Sequence, residues 1–350
     1  MNTFKIALYP GDGIGVDVTG AAEAVLRAAE ERIGGFKLEF ERFDWGVDFH
    51  EKHGRVMPED FLETLRPFDA IFLGAVGWPD RLPDHVTLEP LIKLRQAFDL
   101  YACVRPARTF PGVPAPLASA EEIDLVVVRE NSEGEYVNNG GRFQIGQPGE
   151  VSLQTAIHTR AGIERILRFG FDLAMKRRKR LTMITKSNAQ RFSFVLWDEI
   201  LEELRAEFPD VEADKQHVDA SAMNFVRRPA SFDVVVASNL FGDILSDLSG
   251  AVTGSLGLTP SANLNPSREY PSLFEPVHGS APDIAGCGVA NPAAAVLSGA
   301  MMLEWLGETR AAEAIRTAVE ECLAAGESTG DVGGDLSTAA ATEAIVRRIR

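Results

Sequence analysis

The plainest chemistry in this sequence is a pair of aspartates four apart, Asp243 and Asp247, within Ser238-Asn-Leu-Phe-Gly-Asp243-Ile-Leu-Ser-Asp247. They follow the run Asp233-Val-Val-Val-Ala237, which reads as a strand. Ser238 and Asn239 are natural helix caps, so the spacing predicts a helix carrying both carboxylates on one face. Like charges at that spacing repel by roughly 0.2–0.5 kcal/mol on an exposed helix. The apolar neighbours Ile244, Leu245 and Leu248 imply partial burial and a larger penalty. A divalent cation relieves the repulsion, and hard Mg²⁺ or Mn²⁺ takes oxygen ligands of this kind. The competing reading is a solvated acidic helix face.

Basic groups stand at corresponding places. Arg95 falls on a helical pattern, Arg105 at a strand end, Arg129 at the close of Leu125–Val128, and Lys186 at the close of Leu181–Thr185. Guanidinium forks clamp carboxylates through paired hydrogen bonds. Arginines are common on surfaces, and each taken alone reads better as a structural residue than as a ligand-binding one. Open α/β sheets, however, gather their ligands at strand ends, where these residues cluster.

The elements that must position them alternate between strand and helix. Phe4–Tyr9 reads as a strand, then a glycine turn, then helical periodicity to about Arg32; strands follow at Lys37–Phe43 and Asp69–Gly74, with a helix from Pro58 between them. This alternation implies a mostly parallel sheet covered on both faces. From about Glu135 to Thr159 the helical period vanishes, and a β-arm or exposed hairpin fits best; from about Pro292 the chain is Ala-rich and helical. Gly11-Asp-Gly-Ile-Gly15 is not the G-x-G-x-x-G dinucleotide fingerprint, and no acidic residue closes a second strand at the expected distance. A tight strand-to-helix turn explains these glycines equally well.

At 350 residues the chain exceeds a single small core. A net charge of −16 disfavours nucleic acid and anionic membranes as partners. The basic run Lys176-Arg-Arg-Lys-Arg180 reads as a solvated turn. No apolar stretch is long enough to span a bilayer, and no signal peptide is evident. Three scattered cysteines, Cys103, Cys287 and Cys322, suit free thiols and a cytoplasmic location.

Five segments together resemble one family: Leu94-Arg95 through Arg105-Pro106, Val128 to Tyr136, Thr185-Lys-Ser-Asn188, Asn239 to Asp247, and Glu275-Pro-Val-His-Gly-Ser-Ala-Pro-Asp283. They are similar to the signatures of the β-decarboxylating dehydrogenases, which act on isocitrate, 3-isopropylmalate, tartrate or D-malate. The resemblance implies a two-domain α/β fold that is not a Rossmann fold, with a mixed sheet, flanking helices and a dimerisation arm at about 135–160. Residues 1–103 with 255–350 would form the larger, cofactor-binding domain, and 104–254 the inserted smaller one. Arg95, Arg105 and Arg129 would hold substrate carboxylates. Asp243 and Asp247 would bind Mg²⁺ or Mn²⁺ with Asp219 of the other subunit, and K⁺ is a further candidate. Lys186, also from the other subunit, would be the general base, and Tyr136 the acid. Such a shared site makes a homodimer obligatory. Ile14, His278, Gly279, Ser280, Ala281, Asp283 and Asn291 would contact the cofactor. Asp283 favours NAD, because a carboxylate accepts ribose hydroxyls and repels a 2′-phosphate.

The implied reaction is oxidation and β-decarboxylation of a small 2-hydroxy dicarboxylic acid. The stretches Gly77-Trp-Pro79, Pro83-Asp-His85, Phe110 to Pro114 and Ser261 to Pro266 resemble the tartrate and D-malate branch. That branch usually carries Trp-Gly where this chain has Leu88-Glu89, so 3-isopropylmalate or a related alkylmalate ranks second and isocitrate third. Leu88 and Leu91 either line the substrate pocket or pack their helix. The rival from another class is a non-catalytic dicarboxylate-binding protein.

Overall fold

A computed structural model describes residues 2–117 and 122–350. The first half runs β1 (Asn2–Gly11), α1 (Ile14–Ile33), β2 (Phe36–Arg42), α2 (Val47–His53), α3 (Phe61–Leu65), β3 (Ala70–Ala75), α4 (Asp84–Ala97), β4 (Ala102–Arg108) and β5 (Asp124–Glu130). Next come the hairpin β6 (Gly140–Phe143) and β7 (Val151–Gln154), then α5 (Arg160–Met175), β8 (Arg180–Thr185), α6 (Arg191–Glu207), β9 (Glu212–His217) and α7 (Val218–Arg227). The chain closes with β10 (Val234–Ala237), α8 (Asn239–Thr253), β11 (Pro260–Leu264), β12 (Ser272–Pro276), α9 (Ala293–Trp305), α10 (Thr309–Ala324) and α11 (Thr338–Arg348).

Ten strands form one mixed sheet in the order β2-β1-β3-β12-β11-β4-β5-β10-β8-β9. Both wings are parallel, whereas β12·β11, β11·β4 and β4·β5 at the centre are antiparallel. Strands from the two chain segments on either side of β4 thus share one sheet. This order is not that of a Rossmann fold.

Side-chain alternation sorts the two faces of the sheet. Ile6, Leu8, Ala70, Phe72 and Phe274 enter the larger core, which also receives α1, α5, α6, α8, α9 and α10. Ala7, Tyr9, Ile71, Leu73 and Leu273 enter a smaller core under Trp45, Phe61, Leu91 and Phe98. The expected exposed hairpin is present: β6 and β7 pair antiparallel, and every residue in both is exposed. The basic run at 176–180 is a clasp more than a free turn. Arg177 Nε donates to the fully buried Asp233 at 2.7 Å, and Asp233 also accepts from the Arg178 and Arg180 amides. All three cysteines are free, and no helix among the described residues is long and apolar enough to cross a membrane.

Candidate active site

Three elements bring the predicted arginines together. Arg95 closes the last turn of α4, and Arg129 is the penultimate residue of β5. Arg105 differs from expectation: it lies mid-strand in β4, and its side chain reaches α8 from within the sheet. The three residues are only 6%, 6% and 1% exposed, so each guanidinium needs a partner.

Asp243 supplies a shared counter-charge to two of them, Arg105 and Arg129. Its Oδ1 accepts from Arg129 Nη1 and, at 3.3 Å, from Arg105 Nη1; its Oδ2 accepts from the Tyr136 hydroxyl at 2.8 Å. Burial would raise the Asp243 carboxyl, but Arg129, Arg105 and the Tyr136 hydroxyl outweigh it and hold it below the usual range. Asp247 behaves oppositely: burial raises it, Arg105 opposes at 3.6 Å, and Asp243 adds to the rise. The predicted pair therefore does share one helix face, with one carboxylate committed to arginines and the other left with spare acceptors. Tyr136 lies against the Arg129 guanidinium, whose carbon is 5.1 Å from the ring centre. Burial and the Asp243 charge push the phenol up to about 12, so it is protonated at neutral pH.

The start of α8 is fixed differently from the expected Ser/Asn cap. Ser238 occupies the cap position without accepting from the helix; its hydroxyl donates to Glu135 Oε1 at 2.9 Å. Glu135 Oε2 accepts the Leu240 amide at 3.0 Å, so a carboxylate from the loop after β5 caps the helix and complements its dipole. Asn239 turns its side-chain oxygen to Arg129 Nε (2.9 Å) and Nη2 (2.7 Å). Gly242 is required here, because a Cβ would sit 2.6 Å from the Cβ of Arg129. Arg95 Nη2 donates to Glu275 Oε1 at 2.7 Å, and Glu275 also accepts from Asn263 Nδ2 at 2.8 Å. Arg95 Nε is buried with no hydrogen-bond partner. Glu135 and Glu275 lie inside motifs read in the sequence yet received no role, and Asn239, expected as a helix cap, binds Arg129 instead.

Lys186 and Asp219 stand elsewhere. They follow β8 and β9, whose last residues Thr185 and His217 are register partners, and Lys186 Nζ meets Asp219 Oδ1 at 2.6 Å. The hydrogen bond to Lys186 holds Asp219 below its ordinary value. Among the described residues no three His, Cys, Asp or Glu side chains converge as a metal site, so one chain does not unite Asp219 with Asp243 and Asp247.

The glycine turn meets the 278–283 loop directly. The Ile14 amide donates to the Ser280 carbonyl at 2.7 Å, and a Cβ on Gly13 would lie 2.0 Å from that oxygen. Asp12 ties this turn to two more loops, accepting the Val47 and Gly77 amides at 2.8 Å each. Ala281 has φ 36°, a left-handed conformation that few side chains adopt. Gly279 faces open space, His278 Nε2 is buried without a partner, and Asp283 is exposed. Asn291 lies apart from that loop in sequence, and its Nδ2 donates to Asp331 at 3.0 Å. A cleft of about 590 Å³ is lined by His85, Leu88, Ile92, Tyr136, Val137 and Asn138 among others. Leu91 is 3% exposed within the smaller core, so of the two leucines only Leu88 lines this cleft; the reading of Leu91 as a substrate contact gives way to helix packing.

A mixed ten-stranded sheet, three buried arginines from α4, β4 and β5 near the aspartate-bearing α8, and a glycine turn abutting the loop after β12 define the class of α/β scaffold. The chain belongs to the isocitrate/isopropylmalate dehydrogenase family, whose pattern it matches over residues 5–349. It is 52% identical over 353 residues to a probable tartrate dehydrogenase/decarboxylase of Agrobacterium vitis, covering 100% of this chain and 98% of that one. It is 51% identical to the decarboxylating D-malate dehydrogenase of Escherichia coli K12, covering 100% and 99%. The crystal structure of isocitrate dehydrogenase from Methylococcus capsulatus superposes with a TM-score of 0.89 at 40% identity, each chain covered completely.

Proposed function

We propose that this enzyme oxidises and decarboxylates a small 2-hydroxy dicarboxylic acid, D-malate or tartrate, using NAD and Mg²⁺ or Mn²⁺. The observation that carries the reading is the convergence of Arg105, Arg129 and Tyr136 on the single carboxylate of Asp243. That set can receive a substrate carboxylate: Arg95 has a buried unused donor, and a cation held by Asp243 and Asp247 would release Arg105 and Arg129 from those carboxylates. The relatives named for tartrate and D-malate favour those two acids.

The residues present fit both the metal and the dinucleotide. Asp243 and Asp247 offer hard carboxylate oxygens four residues apart, and we assign the third ligand to Asp219 of a second copy. The loop at 278–283 offers open backbone at Gly279 and an unpartnered His278 nitrogen, with Ile14, Ser280, Ala281, Asp283 and Asn291 completing the NAD contacts. When bound, the metal would ease loss of the 2-hydroxyl proton and NAD would take up the hydride from C2. Arg95, Arg105 and Arg129 hold the two carboxylates and orient C2, with Leu88 beside the substrate. Lys186 takes the hydroxyl proton. After the β-carboxylate departs as CO₂, Tyr136 gives its proton to the carbon it leaves.

Because Lys186 and Asp219 pair with each other away from Asp243, we assign them to the site of a partner in a homodimer. The exposed hairpin supports this: Phe143, Ile145, Val151 and Leu153 are 55%, 66%, 47% and 54% exposed, and a second copy would cover them. We divide the chain into residues 1–103 with 255–350 as the cofactor-binding domain and 104–254 as the inserted one. Its free thiols suit the cytoplasm.

Hybrid dimers test the shared site. Lys186→Met and Tyr136→Phe homodimers should each be nearly inactive. Unfolded together and refolded, they should regain about a quarter of wild-type activity, since half the dimers are hybrids with one intact site. No recovery beyond the sum of the two parents, with hybrids shown to form, would contradict the assignment.

A further inference from the structure

The residues on either side of Lys186 are tied to one carboxylate. Thr185 Oγ1 donates to Asp198 Oδ1 and Ser187 Oγ donates to Asp198 Oδ2, each at 2.8 Å. Asp198 comes from α6, and from its other side Lys215 Nζ on β9 donates to the same Oδ2 at 2.6 Å. The Lys186 carbonyl accepts from the amides of Ala189 (3.0 Å) and Gln190 (2.8 Å). The backbone around Lys186 is therefore held before, at and after that residue, while its side chain reaches out to Asp219. Asp198 itself makes no hydrogen bond to Lys186.

The polarity of the clamp is fixed by charge. Burial would raise the Asp198 carboxyl, but Lys215, Ser187 and Thr185 outweigh it and keep it ionised. An ionised carboxylate only accepts, so both hydroxyls must donate into it and neither can turn away without losing a charge-assisted bond. Thr185 is 1% exposed, so no water can replace Asp198 on that side without opening the strand end. A lysine has four rotatable side-chain bonds, and its backbone anchor decides where the ammonium can reach. Fixing that anchor limits the volume Nζ can sweep, and Asp219 lies within it, 2.6 Å from Nζ.

We propose that Asp198 is the positioning residue for Lys186, acting through the hydroxyls of Thr185 and Ser187, with Lys215 holding Asp198 in place. The inference rests on Lys186 being the base of the proposed reaction. A displacement of about 1 Å in a reacting group can cost on the order of 10²-fold in rate, which sets the expected size.

The experiment compares two half-reactions of the Mn²⁺-loaded dimer, oxidation of D-malate by NAD and decarboxylation of oxaloacetate. Asp198→Ala, Asp198→Asn and Lys215→Met are run beside Lys186→Met. Asp198→Ala should lower the oxidation kcat about 10- to 100-fold with the D-malate KM little changed. Its decarboxylation should follow whatever Lys186→Met does, at smaller size, so that both variants depress the same half-reaction. Asp198→Asn, which keeps an acceptor, should fall between Ala and wild type, and Lys215→Met should lie nearer wild type. A pattern of loss across the two half-reactions unlike that of Lys186→Met, tracking a lowered melting temperature, would make Asp198 a general structural support and overturn the proposal. So would oxidation within about twofold of wild type in Asp198→Ala. Should Lys186→Met itself oxidise normally, the base assignment fails first, and that outcome is separate because it needs no Asp198 variant.

Discussion

Replacing Asp243 by Asn removes one charge from the centre of the site while keeping its shape. The Asp243 side chain accepts from Arg129, Arg105 and Tyr136. The amide oxygen can still accept from the arginines, and the Tyr136 hydroxyl can rotate to accept from the new NH₂. What is lost is the acceptor's charge; the bonds keep a charged donor, so each weakens by at most about 1 kcal/mol. Arg129 keeps two bonds to Asn239 and Arg105 keeps Ser246 at 2.7 Å, and the Asp243 side chain is 37% exposed, which softens the loss. The net destabilisation should be about 1–2 kcal/mol, which lowers the melting temperature by about 1–3 °C for a chain of this length. Catalysis should suffer far more. A ligand to a divalent ion supplies several kcal/mol to the transition state, and 4 kcal/mol corresponds to about 10³ in rate. Calorimetry and steady-state oxidation of D-malate with Mn²⁺ read both quantities on one sample. Turnover within about tenfold of wild type in a folded Asp243→Asn dimer would remove the metal from the mechanism.

The imidazole of His158 accepts from Trp197 Nε1 at 3.2 Å through Nδ1, and burial lowers its pKa against the pull of Glu135 and Glu133. Protonation would turn Nδ1 into a donor facing a donor. A histidine depressed in the folded state contributes stability that is present above its unfolded pKa of about 6.5 and lost as pH falls below it. The urea midpoint should therefore drop between about pH 7.5 and pH 5.5, and by less in His158→Gln; an equal drop in both proteins would exclude His158 as a source. Gly242→Ala should destabilise by about 1–3 kcal/mol, because α8 must move off Arg129, and should raise KM for the dicarboxylate. A variant as stable as wild type would show that the helix moves freely.

Much of the architecture was legible because strands buried on both faces announce themselves. Ala70–Ala75 is a continuous apolar run, Asp124–Glu130 and Arg180–Thr185 have apolar centres between polar ends, and the structure moves the expected ends by a residue or so. β11 was not legible as a strand: Ser261 and Asn263 point into the protein and read as loop residues. They are satisfied only by distant partners, Asn263 with Asn131 and Glu275, and Ser261 with Arg105, which no local pattern reveals. The same limit hid Asp198 and Glu135, acidic residues that look solvated until the fold brings them to hydroxyls and a helix end. That Asp243 and Asp247 share a helix face was legible from their spacing, whereas the arginines stood out only through strand-end position and the family resemblance together. The mid-strand place of Arg105 and the core packing of Leu91 were not, because strand register and helix rotation are set by tertiary contacts.

The central claim is that metal, NAD and a small hydroxy dicarboxylate meet in one site. It is tested most directly by following NADH at 340 nm across D-malate, L- and meso-tartrate, 3-isopropylmalate and isocitrate, with Mn²⁺, with and without EDTA. The account predicts NADH from D-malate or tartrate that EDTA abolishes and excess Mn²⁺ restores. Oxidation indifferent to EDTA, or a folded dimer that binds these acids without reducing NAD, would contradict it.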